Sequence, residues 1–166
     1  MSTSGEQSAK AGETVLVVED EVLLRLSIAA YLRDCGYQVI EAADAEEAML
    51  VLKQPDLDID VLLTDIEMPG AMDGFGLAQW TRANRPGLDV ILAGTAPRAV
   101  NAAANLCEDG PMPKPYEPQL VLDRIRRLSA ARPPKRSTTA PKKGNSGGGV
   151  PAAEPYIPLV KHAKLA

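Results

Sequence analysis

The strongest constraint in this sequence is an alternation. Short runs of strand-forming apolar residues take turns with stretches of helical periodicity, five times between residues 14 and about 130. "TVLVVED" opens the series as a β-branched run that ends in acids, the mark of a buried strand. "DEVLLRLSIAAYLRDCGY" follows. Its Leu24, Ile28 and Leu32 lie four apart on one helical face, and Gly36 stops it. "QVIEA" is a second strand. "DAEEAMLVLKQ" is a helix with Asp44 as its cap and acids in its first turn, finished near Pro55. "DVLLTD" is a third strand, "DGFGLAQWTRAN" a helix capped by Asp73, "DVILAG" a fourth strand and "PRAVNAAANLC" an Ala-rich helix. "PMPKP" stands where a fifth strand belongs, although three prolines in five residues make a poor one. "PQLVLDRIRRL" closes the series as a helix with Val121, Ile125 and Leu128 inward.

Strands that are nearly continuous apolar runs need helices on both faces of their sheet. The expected fold is therefore α/β, a doubly wound five-stranded parallel sheet. The common order for five such strands is 2-1-3-4-5, which makes strands one and three neighbours.

Three segments are expected: a flexible leader over 1–13, the folded domain over 14–131, and a basic Pro/Gly/Lys-rich tail over 132–166 that reads as disordered. From Arg132 onward seven Lys or Arg face one acid, Glu154, a balance of +6; the total of -4 leaves the first 131 residues at about -10. An acidic globular part argues against a nucleic-acid binder, and the tail would touch an anionic partner only weakly. The closing "YIPLVKHAKLA" is mildly apolar; it is a partner-docking segment or a vector-derived remnant, and no intrinsic function is expected of it. Aromatics make up 4% of the chain, so Leu, Val, Ile and Ala must carry the packing. Cys35 and Cys107 show no metal or redox spacing, which fits free thiols in a reducing compartment. The one histidine, His162, lies in the tail, and this removes most His-based catalysis and most zinc sites. No run of 18 apolar residues exists and the polar start is no secretory signal, so the expected location is the cytoplasm.

In an open α/β sheet, ligands bind beyond the carboxyl ends of the strands. Strand one ends in Glu19 and Asp20, and strand three in Asp65. Three carboxylates would converge there, each raising the others' pKa unless something positive intervenes. A hard divalent cation with oxygen ligands is the natural remedy, magnesium first among them. Lys114, from the fifth strand region, adds a second positive group. Taken singly, Asp20 or Glu21 reads as well as a cap of the first helix, Asp65 as a turn cap, and Lys114 as a solvated side chain. Caps do not require acids on adjacent strands with a lysine on a third, so the joint pattern favours chemistry.

"VLVVEDE", "LLTDIEMPG" and "MPKPY" resemble the receiver domain of two-component response regulators, over residues 14 to about 130, most closely the stand-alone single-domain type. The resemblance implies a flavodoxin-like strand order. It implies that Asp65 is the phosphoacceptor. Glu19, Asp20 and Asp65 would hold Mg2+ together with the main-chain carbonyl of Glu67, and Lys114 would pair with the phosphoryl group. A carboxylate can hold a phosphoryl group as an acyl phosphate, and the cations neutralise the charge in transfer. The implied donor is a phosphohistidine on a histidine kinase or histidine phosphotransfer protein, with output through contact with a downstream protein. No membrane partner and no DNA-binding domain are expected, and no enzymatic activity beyond the domain's own phosphoryl transfer. The Lys114–Pro115 bond is expected to be cis.

The pattern also breaks. The family places Ser or Thr at the end of strand four. Counting from "RPGLDVIL", that position is Gly94, with Thr95 one place late; either the loop slips and Thr95 serves, or the hydroxyl is missing, and the register favours Gly94. The family's aromatic three residues before the lysine is here Pro111, and Tyr116 lies on the wrong side of Lys114. The expected consequence is a phosphorylatable Asp65 with weakened or rerouted coupling. Glu67 adds an acid at the site mouth, where it would repel donors or phosphatases. Arg124, Arg126 and Arg127 lie around the last helix as a contact face or as a solvated basic one. Two further readings stay open: a pseudo-receiver that binds a partner independently of phosphorylation, and a flavodoxin-like enzyme or small-ligand binder. The second lacks a glycine-rich phosphate loop after its first strand.

Overall fold

The computed structural model describes residues 12–94, 106 and 110–133. They belong to a compact unit that runs to Pro133. The leader up to residue 11, the expected helix over 97–107 apart from Leu106, Thr95, Cys107 and the tail from residue 134 lie outside the described residues.

Four parallel strands pair in the order β2-β1-β3-β4: β1 Thr14–Val18, β2 Gln38–Ala42, β3 Val61–Asp65 and β4 Asp89–Ala93. Among the described residues four helices accompany them: α1 Val22–Asp34, α2 Ala45–Leu52, α3 Gly74–Asn84 and α4 Pro118–Ala131. Two of the helices start where an Asp side chain catches a free backbone N–H. Asp44 accepts from Glu47 at 2.8 Å and Asp73 from Gly76 at 2.9 Å. After α1 the chain turns at Gly36, whose φ of +93 suits a residue without a Cβ.

Successive residues of the central strands point to opposite faces, and each face has its own core. Leu16, Val18, Leu62, Val90 and Leu92 pack with Ala48 and Leu52 of α2 and Leu77 and Ala78 of α3. Val15, Val17, Val61, Leu63 and Ile91 pack with Ile28 and Leu32 of α1 and Val121, Ile125 and Leu128 of α4. Helices therefore cover both faces, as the apolar runs required.

The expected fifth position is represented by a single residue. Among the described residues the sheet has four strands, and the fifth position holds one bridge, Ala93 to Met112. Met112 gives its N–H to Leu92 at 2.7 Å and takes the N–H of Gly94 at 2.8 Å. Pro111 and Pro113, on either side of Met112, face away from β4, where the missing N–H of a proline suits an outer sheet edge.

Candidate functional site

Register creates the site. Val18 pairs with Thr64 across the two central strands, so one step further along both come Glu19 and Asp65. Both are buried, at 2% and 4% exposure, and Asp20 beside them is exposed. One carboxylate oxygen from each of Glu19, Asp20 and Asp65 falls within 4.8 Å of the others.

The turn from β1 to α1 is held by main-chain bonds. The N–H of Glu19 reaches the carbonyl of Ala42 at 3.2 Å. Arg25, one turn into α1, donates Nη1 to the carbonyl of Glu19 at 2.6 Å. The capping alternative for these acids is not realised. Glu21 stands at the N-cap position of α1 without a side-chain cap bond, and the first turn contains no acid. The Glu19 side chain takes the Glu21 N–H at 3.3 Å but faces the third strand as well.

Asp65 is fixed from three sides. Its Oδ1 accepts the N–H of Glu67 at 3.1 Å, and its Oδ2 accepts Lys114 Nζ at 2.8 Å. Behind it, α3 starts so close that a Cβ on Gly74 would lie 1.9 Å from the Asp65 carbonyl oxygen. Only a glycine allows that approach. Lys114 also donates to both Glu19 oxygens, at 3.1 and 2.8 Å, and its peptide bond to Pro115 is cis.

The charges follow from this crowding. Burial pushes the Glu19 carboxyl up; the Lys114 hydrogen bond opposes it and the Asp65 charge adds to it. Burial pulls the Lys114 ammonium down, but the bonds to Asp65 and Glu19 outweigh it and hold the group well above the usual lysine range. One lysine against three carboxylates leaves negative charge in surplus. An all-oxygen donor set with such a surplus fits a hard divalent cation of the magnesium kind. Glu67 is exposed, and its N–H is the group that touches Asp65.

Gly94 follows Ala93, the β4 partner of Asp65, and has φ of +150. A Cβ there would lie 3.0 Å from Cβ of Ile66. Ile66 therefore fills the space a side chain at this position would need. Pro111 is partly buried, and Tyr116 packs against the α1–α4 core, its phenol pushed up by burial first and then by the Glu19 charge. Beside Lys114 opens a cavity of about 540 Å3, lined by Glu21, Leu23, Leu24, Lys114, Pro115 and Tyr116. Val22, Leu23 and Leu26 are exposed along the same end of α1. On α4, Arg124 donates to the carbonyl of Gly110 at 2.6 Å, and Arg126 and Arg127 are exposed.

Sequence reasoning missed Arg25, Gly74 and Ile66. Gly74 alone carried a signal: a glycine in the first turn of a helix is costly and points to a close approach.

Comparison with known proteins places these features. A family model, the response regulator receiver domain, matches residues 15–126. The sensor kinase CckA of Brucella abortus (strain 2308) is 36% identical over 107 residues, 62% of this chain and 11% of that protein. The probable transcriptional regulator ycf27 of Cyanophora paradoxa is 32% identical over 117 residues, 69% of this chain and 47% of that protein. The chain thus spans half or less of the length of these curated relatives. A crystal structure of a response regulator receiver protein from Sinorhizobium medicae WSM419 superposes with a TM-score of 0.65 at 27% identity, covering 75% of this chain and all of that one. Among the described residues no helix is long and apolar enough to cross a membrane.

Proposed function

Because this chain belongs to the response regulator receiver domain family of two-component signalling, we propose that it is a phosphoacceptor, phosphorylated on Asp65 from a partner's phosphohistidine. The observation that carries the reading is the convergence of Glu19 and Asp65, each one residue past the paired Val18 and Thr64, with Asp20 within shared reach and Lys114 bonded to both. Glu19, Asp20 and Asp65, with the Glu67 carbonyl, would hold magnesium, which would supply charge neutralisation for the transferring group. Asp65 acts as the nucleophile. Its carboxylate oxygen bonds to phosphorus as the P–N bond to the donor imidazole breaks, and the imidazole takes up a proton from water. Glu67 N–H keeps the carboxylate oriented, and Lys114 exchanges a carboxylate oxygen for a phosphoryl oxygen. The domain catalyses this one transfer on itself and no further reaction.

The donor is a histidine kinase or a histidine phosphotransfer protein. Exposed Val22, Leu23 and Leu26, next to the apolar cavity at Lys114, offer the contact surface such a protein needs. Output is contact with a downstream protein in the cytoplasm. To test the reading, the protein is incubated with magnesium and a small acyl phosphate, and its mass is followed. A gain of one phosphoryl group that Asp65→Asn abolishes is expected; no gain in the wild type overturns it.

One observation favours a second reading. With Gly94 lacking a side chain and Ile66 against it, phosphorylation has no hydroxyl at that position to pull. A pseudo-receiver would bind its partner regardless of Asp65. Partner affinity unchanged by Asp65→Ala supports that reading, and a changed affinity supports the first.

A further inference from the structure

We propose that Arg25 is a positioning residue for the magnesium site, holding the Glu19–Asp20 turn in register with Asp65; this rests on the proposed reading of that site. The turn lacks the usual device for fixing a strand-to-helix junction, since α1 has no side-chain N-cap bond. Two main-chain groups of Glu19 are tied down instead. Its N–H goes to Ala42 at the end of β2, and its carbonyl takes Arg25 Nη1 at 2.6 Å. The guanidinium is itself oriented. Its Nε lies 3.7 Å from Glu41 Oε2 on β2, and Arg33 approaches the other oxygen of Glu41 at 2.9 Å. The Arg25 side chain is 15% exposed, so it is packed in place and not waving in solvent.

The geometry gives Arg25 two jobs that one planar fork can do together: donate to a carbonyl and rest against a carboxylate. Without it, the Glu19 carbonyl loses its donor, and mutual repulsion of the three carboxylates is free to open the turn. Glu19 and Asp20 would then leave the shared reach they have with Asp65. Arg25 touches neither metal nor substrate; it acts through Glu19.

The test is calorimetric titration of the full chain with magnesium chloride, alongside urea unfolding in the absence of the ion. Variants are Arg25→Ala, Arg25→Lys and Arg85→Ala. Arg85 caps the carbonyls of Leu52 and Leu57 at 2.9 and 2.7 Å, away from the carboxylates, and reports generic destabilisation. Expected is a loss of magnesium affinity of about tenfold or more for Arg25→Ala, as for other outer-shell partners of metal ligands, with Arg85→Ala unchanged. Arg25→Lys should fall between, because an ammonium replaces the fork with a point donor. If Arg25→Ala does not fold, Arg25→Lys carries the test. Unchanged affinity in the folded Arg25 variant overturns the inference, as does an equal loss in Arg85→Ala. A wild-type protein that takes up no magnesium and no phosphoryl group sinks the site reading itself, a distinguishable result.

Discussion

The ammonium of Lys114 stands 2.8 Å from Oδ2 of Asp65, although 49 positions separate the two residues. The same ammonium holds both oxygens of Glu19. A single cation thus joins the ends of the two central strands, in the place where a metal would also have to neutralise charge.

Lys114→Ala should therefore destabilise the metal-free protein by about 1–3 kcal/mol, because Glu19 and Asp65 lose a charged hydrogen-bond donor while staying buried. Saturating magnesium should narrow the gap, since an ion that binds the folded state adds stability where charge is uncompensated. Urea unfolding in chelator and in magnesium checks this. An identical loss in both would mean that lysine and ion do not share the carboxylates.

Gly74→Ala should cost roughly 1–3 kcal/mol or more, since its Cβ would overlap the Asp65 carbonyl oxygen and push α3 off the strand end. Gly87→Ala is the control. Nothing lies within 4 Å of a Cβ there, so a change within about 0.5 kcal/mol is expected. Denaturant midpoints read both.

Gly94→Ala and Ile66→Ala should not be additive. The first costs about 1–3 kcal/mol by crowding Ile66 and by placing a Cβ on a backbone with φ of +150, and the second about 2–5 kcal/mol by emptying a buried site. Together they should cost less than the sum by about 0.5–2 kcal/mol, because removing the isoleucine frees the space. Strict additivity in a double-mutant cycle would show that Ile66 does not exclude a side chain at Gly94.

At the opposite edge of the sheet, Arg132 joins Glu13, Asp60 and Asp89, with Nε 3.0 Å from Asp89 and Nη1 3.2 Å from Asp60. Arg132→Ala should cost about 1–3 kcal/mol, because Glu13 and Asp60 lose a charged donor while keeping Ser129 and the Thr14 N–H. Arg132→Lys should recover less than half, since one ammonium cannot serve three carboxylates spread around a fork. Unfolding in urea measures both.

The four strands and the four described helices were legible because apolar runs, helical spacing and Asp caps act locally. Asp44 and Asp73 cap where their residue type says they should. The fifth strand was expected to be a poor one from its prolines, and among the described residues its position beside β4 holds one bridge, at Met112. Arg132 was read as the first residue of a basic tail, yet its guanidinium closes a three-acid cluster at the base of the domain. Arg25 likewise reaches a carbonyl six residues back. Long side chains choose such partners through the tertiary fold, and no local pattern announces them. Asp65, Glu19 and Lys114 were legible together because strand ends are where a parallel sheet gathers chemistry.

The most direct measurement is chemical trapping of the phosphorylated residue. The protein is treated with magnesium and an acyl phosphate, reduced with borohydride, digested and sequenced by mass spectrometry. Reduction of an aspartyl phosphate leaves homoserine, and the account predicts it at position 65, with none when magnesium is withheld. Homoserine at another aspartate, or at none, would contradict it.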